Sequence, residues 1–214
     1  MANDHPRMIL AMASETDDRE TWDQVKTIQA EMFAAGPAAI KLCYFGREGV
    51  SRIRPYISTR WVMDADDMAD LIDHARRDCV CGCFLRVADI LEPALREAQE
   101  SPLASVVIIG DRFHGDLDAM VATAKQLRDA GTQLFLFQVG TTGGAFRDFA
   151  EATDSVLIEI NPHVEKVAKR LPAMLEAVTH FTIGGKAGLK ALDNEAADRL
   201  LEQMDTMGRI AGAN

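Results

Sequence analysis

The sequence has no long hydrophobic run and comparatively few basic residues, and both absences restrict what the chain can do. No stretch approaches the roughly 18 consecutive apolar residues that a transmembrane helix needs, so we expect no membrane insertion. The 23 lysines and arginines are outnumbered by 33 aspartates and glutamates, which gives a formal net charge of −10. Because an acidic surface repels phosphate groups, this charge argues against general binding to nucleic acids or anionic membranes.

Cysteine is scarce as well, and the four cysteines are not spaced like those of a secreted, disulfide-rich domain. Cys79, Cys81 and Cys83 are too close together for a disulfide framework, so we expect a reducing, cytoplasmic environment. On a strand, their spacing would put all three thiols on one face. Zinc sites use wider cysteine pairs and a fourth ligand, so free thiols that act as small hydrophobic groups are the simpler prediction, with redox or metal chemistry as the alternative.

We expect no targeting segment, and the sequence shows no catalytic signature. The apolar run 8–13 is short and acidic residues follow it, Glu15 first, so it does not resemble a secretory signal. The G-x-S-x-G nucleophile motif and the G-x-x-x-x-G-K-[ST] and G-x-G-x-x-G phosphate-binding motifs are absent. The glycine-rich segment 140–144 could bind an anion through backbone N–H groups, although a plain loop is the simpler interpretation. His163 and His180 have no evident partners, so we predict no catalytic residues.

Apolar strands alternate with amphipathic helices along the chain. Predicted strands cover residues 7–13, 39–45, 57–63, 105–111, 132–139 and 155–160. Predicted helices cover the residues between Thr21 and Gly36 and then 64–77, 87–100, 116–130, 146–152, 162–181 and 194–207. This alternation predicts βαβ crossovers and therefore an α/β fold, a mostly parallel, doubly wound, Rossmann-like open sheet with helices on both faces.

The character of individual strands predicts their place in the sheet. The apolar run 106–109 predicts a central, fully buried strand, whereas Trp61, next to a charged residue, predicts that the strand 57–63 lies at or near an edge. We expect one α/β domain over residues 1–183 and a helical appendage of the same domain over 184–214, because glycines separate the two parts of the sequence.

The order of these elements resembles that of von Willebrand factor A (VWA) domains. A first strand runs into a loop of serine, threonine and acidic residues, and the strand 106–109 ends in Gly110-Asp111. Helix, glycine and strand then follow one another over 127–140, and a strand with a long closing helix occupies 151–181. The resemblance covers most of the chain and implies a Rossmann-like sheet.

Three shorter segments are similar to a bacterial subgroup of VWA-like proteins without an assigned function. These segments are 21–23, 28–33 and 196–204. No single motif among them is decisive, because the order of the elements carries the resemblance.

VWA domains usually carry a metal-ion-dependent adhesion site, and this sequence departs from its pattern. Such a site combines D-x-S-x-S after the first strand, a threonine in a later loop and an aspartate after the fourth strand, and its hard oxygen ligands suit Mg²⁺. In the ungapped comparison, Ala13 stands in place of the leading aspartate, and Glu15 and Asp17 stand in place of the hydroxyl groups. Leu85 takes the place of the threonine, and Asp111 alone matches.

A shift of one residue keeps the hydroxyl groups, at Ser14 and Thr16, but then Met12 replaces the leading aspartate. The resemblance therefore implies a degenerate site that binds no metal tightly, and we expect no cofactor. The alternative is a rebuilt site that binds Mg²⁺ at least weakly. Its candidate ligands are Ser14, Glu15, Asp17 and Asp111.

Two classes of function remain open, and both use the carboxyl ends of the parallel strands, where ligands bind in sheets of this kind. The first is a non-catalytic module that binds another protein. Its predicted interaction surface consists of Ser14, Glu15, Thr16, Asp17, Leu85, Asp111 and His114. The second is an enzyme or a binder of a small ligand or divalent metal, using the crevice around Asp111. The resemblance favours the first class, because the VWA fold mostly serves as a binding platform.

Overall fold

A six-stranded β-sheet forms the centre of the molecule. The computed structural model describes residues 5–13, 26, 32–48, 52–57, 60–78, 85–110, 113–114, 116–140, 144–160 and 167–211. The six strands are β1 (Arg7–Ala13), β2 (Ala39–Glu48), β3 (Arg52–Ile57), β5 (Ser105–Gly110), β7 (Gln133–Val139) and β8 (Val156–Ile160). Two short strands, β4 (Leu85–Arg86) and β6 (Phe113–His114), form a separate pair.

Six helices are delimited within the described part of the chain, of which the first four connect strands and the last two follow β8. They are α1 (Ala65–Asp78), α2 (Ala88–Glu100), α3 (Leu117–Asp129), α4 (Ala145–Thr153), α5 (Val167–Leu192) and α6 (Glu195–Ala211). Of the helix predicted after Thr21, Lys26 and residues 32–34 are described, and they are helical. None of the described helices is long and apolar enough to cross a membrane.

The strand order is β3-β2-β1-β5-β7-β8. All neighbouring strands are parallel except β2 and β3, which form an antiparallel hairpin. The predicted six-stranded, mostly parallel sheet is therefore confirmed. From β1 the chain continues toward β2, whereas from β5 it continues toward β7 and β8 on the other side. The boundary between β1 and β5 is thus the topological switch point, where α/β sheets bind their ligands.

Both faces of the sheet are buried because successive side chains of each strand point to opposite faces. On one face, Leu10 and Val107 pack in a core with residues of α1, α5 and α6. On the other face, Ile9 and Val106 pack with residues of α2, α3 and α4. The prediction of helices on both faces is confirmed. Every residue of β5 is buried, as expected for the central strand.

The third strand is at an edge of the sheet, but its predicted position in the sequence, 57–63, is wrong. The strand is β3, and it pairs with an extended β2 that continues to Glu48. Pro55 fits this position, because a residue without an N–H is tolerated in an edge strand. Further along the chain, Val62 forms an isolated antiparallel bridge with Ile40, with both N–O distances at 2.8 Å. The predicted segment therefore contributes the end of β3 and this one bridge.

The carboxyl-terminal helices are longer than predicted. Instead of ending near residue 181, α5 continues to Leu192 through a sharp turn at Gly185, where φ is 58° and ψ is −149°. Glycine adopts this conformation readily, whereas other residues do so rarely. The following helix α6 begins after Asn194, whose side chain accepts a hydrogen bond from the N–H of Ala197 at 2.9 Å. Leu200 of α6 lies in the core with residues of α5, so the predicted appendage packs against the sheet domain.

Candidate functional site at the carboxyl ends of the central strands

The carboxyl ends of β1 and β5 lie side by side. In their parallel register, Met12 pairs with Ile109 and Ala13 pairs with Gly110. The segment that begins at residue 14 and the segment that begins at residue 111 therefore leave the sheet from paired positions. This is the switch point of the strand order. Two polar segments that the sequence places in the predicted interaction surface thus start from adjacent points of the backbone.

The short strands β4 and β6 bring two more predicted residues together. They are parallel, with Leu85 paired to Phe113 and Arg86 paired to His114. Because β6 follows β5 closely in the chain, this pair belongs to the same end of the sheet. Directly afterwards, Asp116 caps helix α3 by accepting hydrogen bonds from the N–H groups of residues 118 and 119, at 3.1 and 3.3 Å. The carboxylate of Asp116 is therefore engaged in a structural role.

The predicted interaction residues fall into two groups. Ser14, Glu15, Thr16, Asp17 and Asp111 lie outside the described residues, and the backbones of Leu85 and His114 are described without their side chains. The backbone register therefore relates the starting points of these segments, while the predicted surface and the predicted state of the metal site stay predictions. Cys79, Cys81, Cys83 and His163 also lie outside the described part of the chain.

Two positions that would supply oxygen ligands in a VWA metal site hold residues without a side-chain oxygen. Ala13 and Leu85 have no side-chain oxygen, although a hard divalent ion needs several oxygen ligands. In the shifted comparison, Met12 takes the leading position, and its thioether side chain is buried in the core at 3% exposure. Within the ranges that the structure describes, no group of three histidine, cysteine, aspartate or glutamate side chains is arranged to hold a metal.

Cys43 is a buried, free cysteine on the face of β2 that packs against α2. Burial raises the pKa of its thiol from 9.0 to about 12, and the negative charge of Asp89 contributes to the same shift. At neutral pH the thiol is therefore protonated and shielded from reagents. Because thiolates are the reactive form of cysteine, Cys43 is a core residue and no nucleophile.

The glycine-rich segment 140–144 is only partly described, and its first N–H is already used. Gly140 donates this hydrogen bond to the carbonyl oxygen of Ile160 at 2.9 Å, which extends the pairing between β7 and β8. Gly144 lies at the start of α4, and its carbonyl oxygen accepts the N–H of Asp148 at 2.8 Å. Since the Gly140 N–H has a partner, it does not contribute to an anion-binding loop.

A cleft of about 610 Å³ lies elsewhere, beside β8. The sequence analysis did not predict it. Its walls come from α4 and α6, and Leu157 of β8 lies between them. The sequence does contain one relevant signal, because the charged Glu159 stands between two isoleucines, as in an edge strand. In the structure, residues 156–160 of β8 alternate accordingly between buried and more exposed positions. The position of α6 was not predictable in the same way, since it depends on the turn at Gly185.

No protein-family model matches the sequence, and neither does any curated protein. Solved structures do match. The VWA domain of SpRpn10 is 15% identical, with a TM-score of 0.56, over 76% of this chain and 92% of that one. An aerotolerance-related membrane protein from Bacteroides fragilis is 13% identical, with a TM-score of 0.51, over 72% of this chain and 91% of that one.

A von Willebrand factor type A protein from Catenulispora acidiphila is 11% identical, with a TM-score of 0.59. The match covers 84% of this chain and 43% of that one. At such identities the similarity concerns the fold. The chain therefore has the fold of VWA domains, and the resemblance drawn from the order of its sequence elements is confirmed at that level.

Proposed function

We propose that this protein is a non-catalytic interaction module that binds a partner protein with the surface at the carboxyl ends of β1 and β5. The observation that carries the proposal is the pairing of Ala13 with Gly110, because it makes the two polar segments after these strands leave the sheet together. The pairing of Arg86 with His114 adds the segment around β4 to the same end. Loops on a rigid α/β scaffold are the usual place for binding residues.

The proposed surface does not depend on Mg²⁺. Two positions that would supply ligands hold apolar residues, Leu85 and either Ala13 or Met12. The remaining acids, Glu15, Asp17 and Asp111, would instead accept a lysine or arginine side chain of the partner, because charge-assisted hydrogen bonds to a cation neutralise carboxylates. The net charge of −10 also favours a basic patch on the partner.

We also infer that the module works in the cytoplasm. Four cysteines in a chain of this size, three of them too close to pair with one another, are best explained by a reducing compartment. The buried, protonated thiol of Cys43 is consistent with that inference.

The test is affinity capture from the native host's extract with three baits: the wild-type chain, a variant with Asp111→Ala and Ser-Gly replacements over 14–17, and Glu100→Gln as a control. Glu100 is an exposed acid at the last residue of α2, at the helix end that lies near Arg7 and away from the carboxyl ends. We expect a prey protein that the wild type and the control retain in the presence of EDTA and that the surface variant loses. A small molecule that co-purifies with the wild type in stoichiometric amount and is absent from the surface variant would instead support an enzyme or ligand binder.

A further inference from the structure

Strand β8 is the last strand at one edge of the sheet that the described residues form. It pairs with β7 on one side, and no described strand pairs with its other side. The carbonyl oxygen of Ile160 accepts the N–H of Gly140, so the main chain of Ile160 points toward β7. Because main-chain groups alternate in direction along a strand, those of Leu157 and Glu159 point away from β7. Among the described residues no backbone hydrogen bond engages these outward N–H and C=O groups, so they can pair with a further strand.

The cleft of about 610 Å³ lies along the beginning of this edge. Helix α4 forms one wall on one face of the sheet, and helix α6 forms the other wall on the opposite face. Ser155 and Leu157 line the cleft from β8 between the two walls. Since a binding cleft typically measures about 300–1,000 Å³, the space is of a size that accommodates a ligand. It lies at the amino end of β8 and is therefore separate from the surface at the carboxyl ends.

The two walls differ in chemistry. Toward α4, Ala150 and Leu157 give an apolar surface. Toward α6, Glu202 and Gln203 give a polar one, and the buried side-chain oxygen of Gln203 has no hydrogen-bond donor among the described residues. An acceptor in this position is suited to a donor from a ligand, because a buried polar group without a partner is costly.

The unpaired charge around the cleft is negative. The cationic group on its lining, Arg147, already forms an ion pair with Glu159 at 2.6 Å. The acid Asp154 is paired with Arg128. In contrast, no ion pair within the described residues engages Glu202 on the wall that α6 forms. An occupant with basic side chains would therefore be electrostatically complementary.

We propose that the outer edge of β8 binds an extended segment of a partner protein by strand addition, and that this segment alternates apolar and basic side chains. Main-chain hydrogen bonds to Leu157 and Glu159 would supply the pairing, as in other complexes formed by strand addition. Because side chains of an added strand alternate between the two faces, the apolar ones would contact Ala150 and Leu157, and the basic ones would contact Glu202 and Gln203. This site is independent of the surface proposed above.

The experiment uses synthetic peptides of about eight residues, close to the length of a typical strand. The probe alternates lysine and valine. One control alternates glutamate and valine, and a second is the lysine–valine peptide with N-methyl groups on the residues that would pair with β8. With the probe at about ten times its Kd, we expect hydrogen exchange at the Leu157 and Glu159 amides to slow about ten-fold, and neither control to have this effect.

Variants of the chain separate charge from backbone pairing. Glu202→Gln, on the wall that the basic side chains would face, should weaken probe binding by about two- to five-fold, as expected for an exposed ion pair, while Glu92→Gln on α2 should leave it unchanged. Leu157→Pro removes the outward N–H of an edge strand, where proline is tolerated, together with a side chain that packs against the core, so Leu157→Ala is its matched control. The proline variant should abolish binding, whereas the alanine variant should only weaken it. If the proline variant does not fold, the N-methylated peptide tests the same hydrogen bonds.

Three results would overturn the proposal. The first is equal binding of the lysine–valine and glutamate–valine peptides. The second is probe binding that protects the amides at the ends of β1 and β5 and leaves those of Leu157 and Glu159 unchanged. The third is protection of Leu157 and Glu159 in concentrated protein without peptide, together with a dimer in sedimentation, because the edge would then bind a second copy of this chain.

Discussion

The hydroxyl groups of Ser105 and Thr182 form a buried hydrogen bond, with 2.7 Å between their oxygen atoms. Ser105 begins the central strand β5, and Thr182 lies in α5, which covers that face of the sheet. The Thr182 hydroxyl itself donates to the carbonyl oxygen of Val178 at 2.8 Å. The Ser105 hydroxyl is therefore the donor in the shared bond, and Thr182 is its acceptor.

This donor–acceptor order predicts unequal effects of two substitutions. Thr182→Val leaves the buried Ser105 hydroxyl without an acceptor and should lower the free energy of unfolding by about 2 kcal/mol. Ser105→Ala should cost only about 1 kcal/mol, because Thr182 keeps its bond to Val178. Urea unfolding of both variants and of the double variant would measure this. An equal or larger cost for Ser105→Ala would contradict the assigned order.

Two buried cations at the opposite end of the sheet depend on one carboxylate. Arg7 of β1 and Lys41 of β2 are each only 8% exposed, and both form ion pairs with Glu97 of α2. Both also lie over the ring of Trp61, with Arg7 4.1 Å and Lys41 4.9 Å from its centroid. Because the Trp61 ring carries no net charge, Glu97 is the carboxylate that neutralises both cations within the described structure.

Glu97→Ala should therefore be strongly destabilising, by about 3–5 kcal/mol, because it leaves charges buried without a partner. The matched control is Glu195→Ala, which removes an exposed ion pair with Arg199 and should cost less than about 1 kcal/mol. Chemical unfolding at neutral pH compares the two variants. Similar costs would show that Arg7 and Lys41 become hydrated when Glu97 is lost, and would contradict the buried-pair explanation.

The parts of the fold that were predictable are those encoded in local pattern. The apolar run of β5 and the alternation of strands with helices were sufficient for the parallel sheet and for the place where β1 and β5 end. The strand β3 was missed because its sequence, with Arg52 and Arg54, is that of an edge hairpin whose pairing partner lies in the extension of β2. The burial of Arg7 depends on Glu97, 90 residues further along the chain, and no local pattern reports such a contact.

The two candidate sites also differ in whether local sequence pattern or long-range packing determines them. The pairing of Ala13 with Gly110 agrees with the expectation that the segments after these two strands contribute to one surface at the carboxyl ends of a parallel sheet. The cleft beside β8 requires α6 to return along the sheet after the turn at Gly185, and this turn lay inside a segment predicted only to separate two parts of the domain. Long-range packing therefore determines the second site, whereas strand order determines the first.

Two glycines around the turn in α5 should respond to alanine in opposite ways. A Cβ atom on Gly188 would lie 2.2 Å from the carbonyl oxygen of His180, so Gly188→Ala requires the backbone to move and should cost more than about 2 kcal/mol. A Cβ atom on Gly184 would meet no atom within 4 Å, so Gly184→Ala should be neutral or stabilise by about 0.5–1 kcal/mol. Thermal melts of the two variants provide the measurement, and a destabilised Gly184→Ala would contradict it.

The thiols should differ in accessibility. In the denatured protein a thiol reagent should count four groups, one for each cysteine in the sequence, and elemental analysis should find no stoichiometric zinc. In the native protein at pH 8, Cys43 should react only as fast as the protein unfolds, because its thiol is buried and its pKa is raised to about 12. Rapid labelling of Cys43, identified by mass spectrometry, or one zinc per chain that survives a chelator, would contradict this prediction.

The same raised pKa has a consequence for stability at alkaline pH. The unfolded thiol ionises near its ordinary pKa of 9.0, while the folded thiol stays protonated until about 12. The stabilising contribution is thus fully present below pH 9 and is lost as the pH rises toward 12. The difference in unfolding free energy between the wild type and Cys43→Ser should be constant below pH 9 and should shrink above it. A difference independent of pH up to 11 would rule this linkage out.

The last prediction concerns Mg²⁺ at the carboxyl ends of β1 and β5. Ala13 and Leu85 provide no oxygen ligands, so we expect calorimetric titration with Mg²⁺ or Mn²⁺ to show no binding tighter than millimolar. The melting temperature should be the same with and without a chelator, because a ligand stabilises the folded state only in proportion to its occupancy. Replacing Ala13 by aspartate and Leu85 by threonine should restore measurable affinity, which serves as the positive control. Micromolar binding in the wild type that Asp111→Ala abolishes would refute the degenerate site and would make Glu15 and Asp17 the replacement ligands.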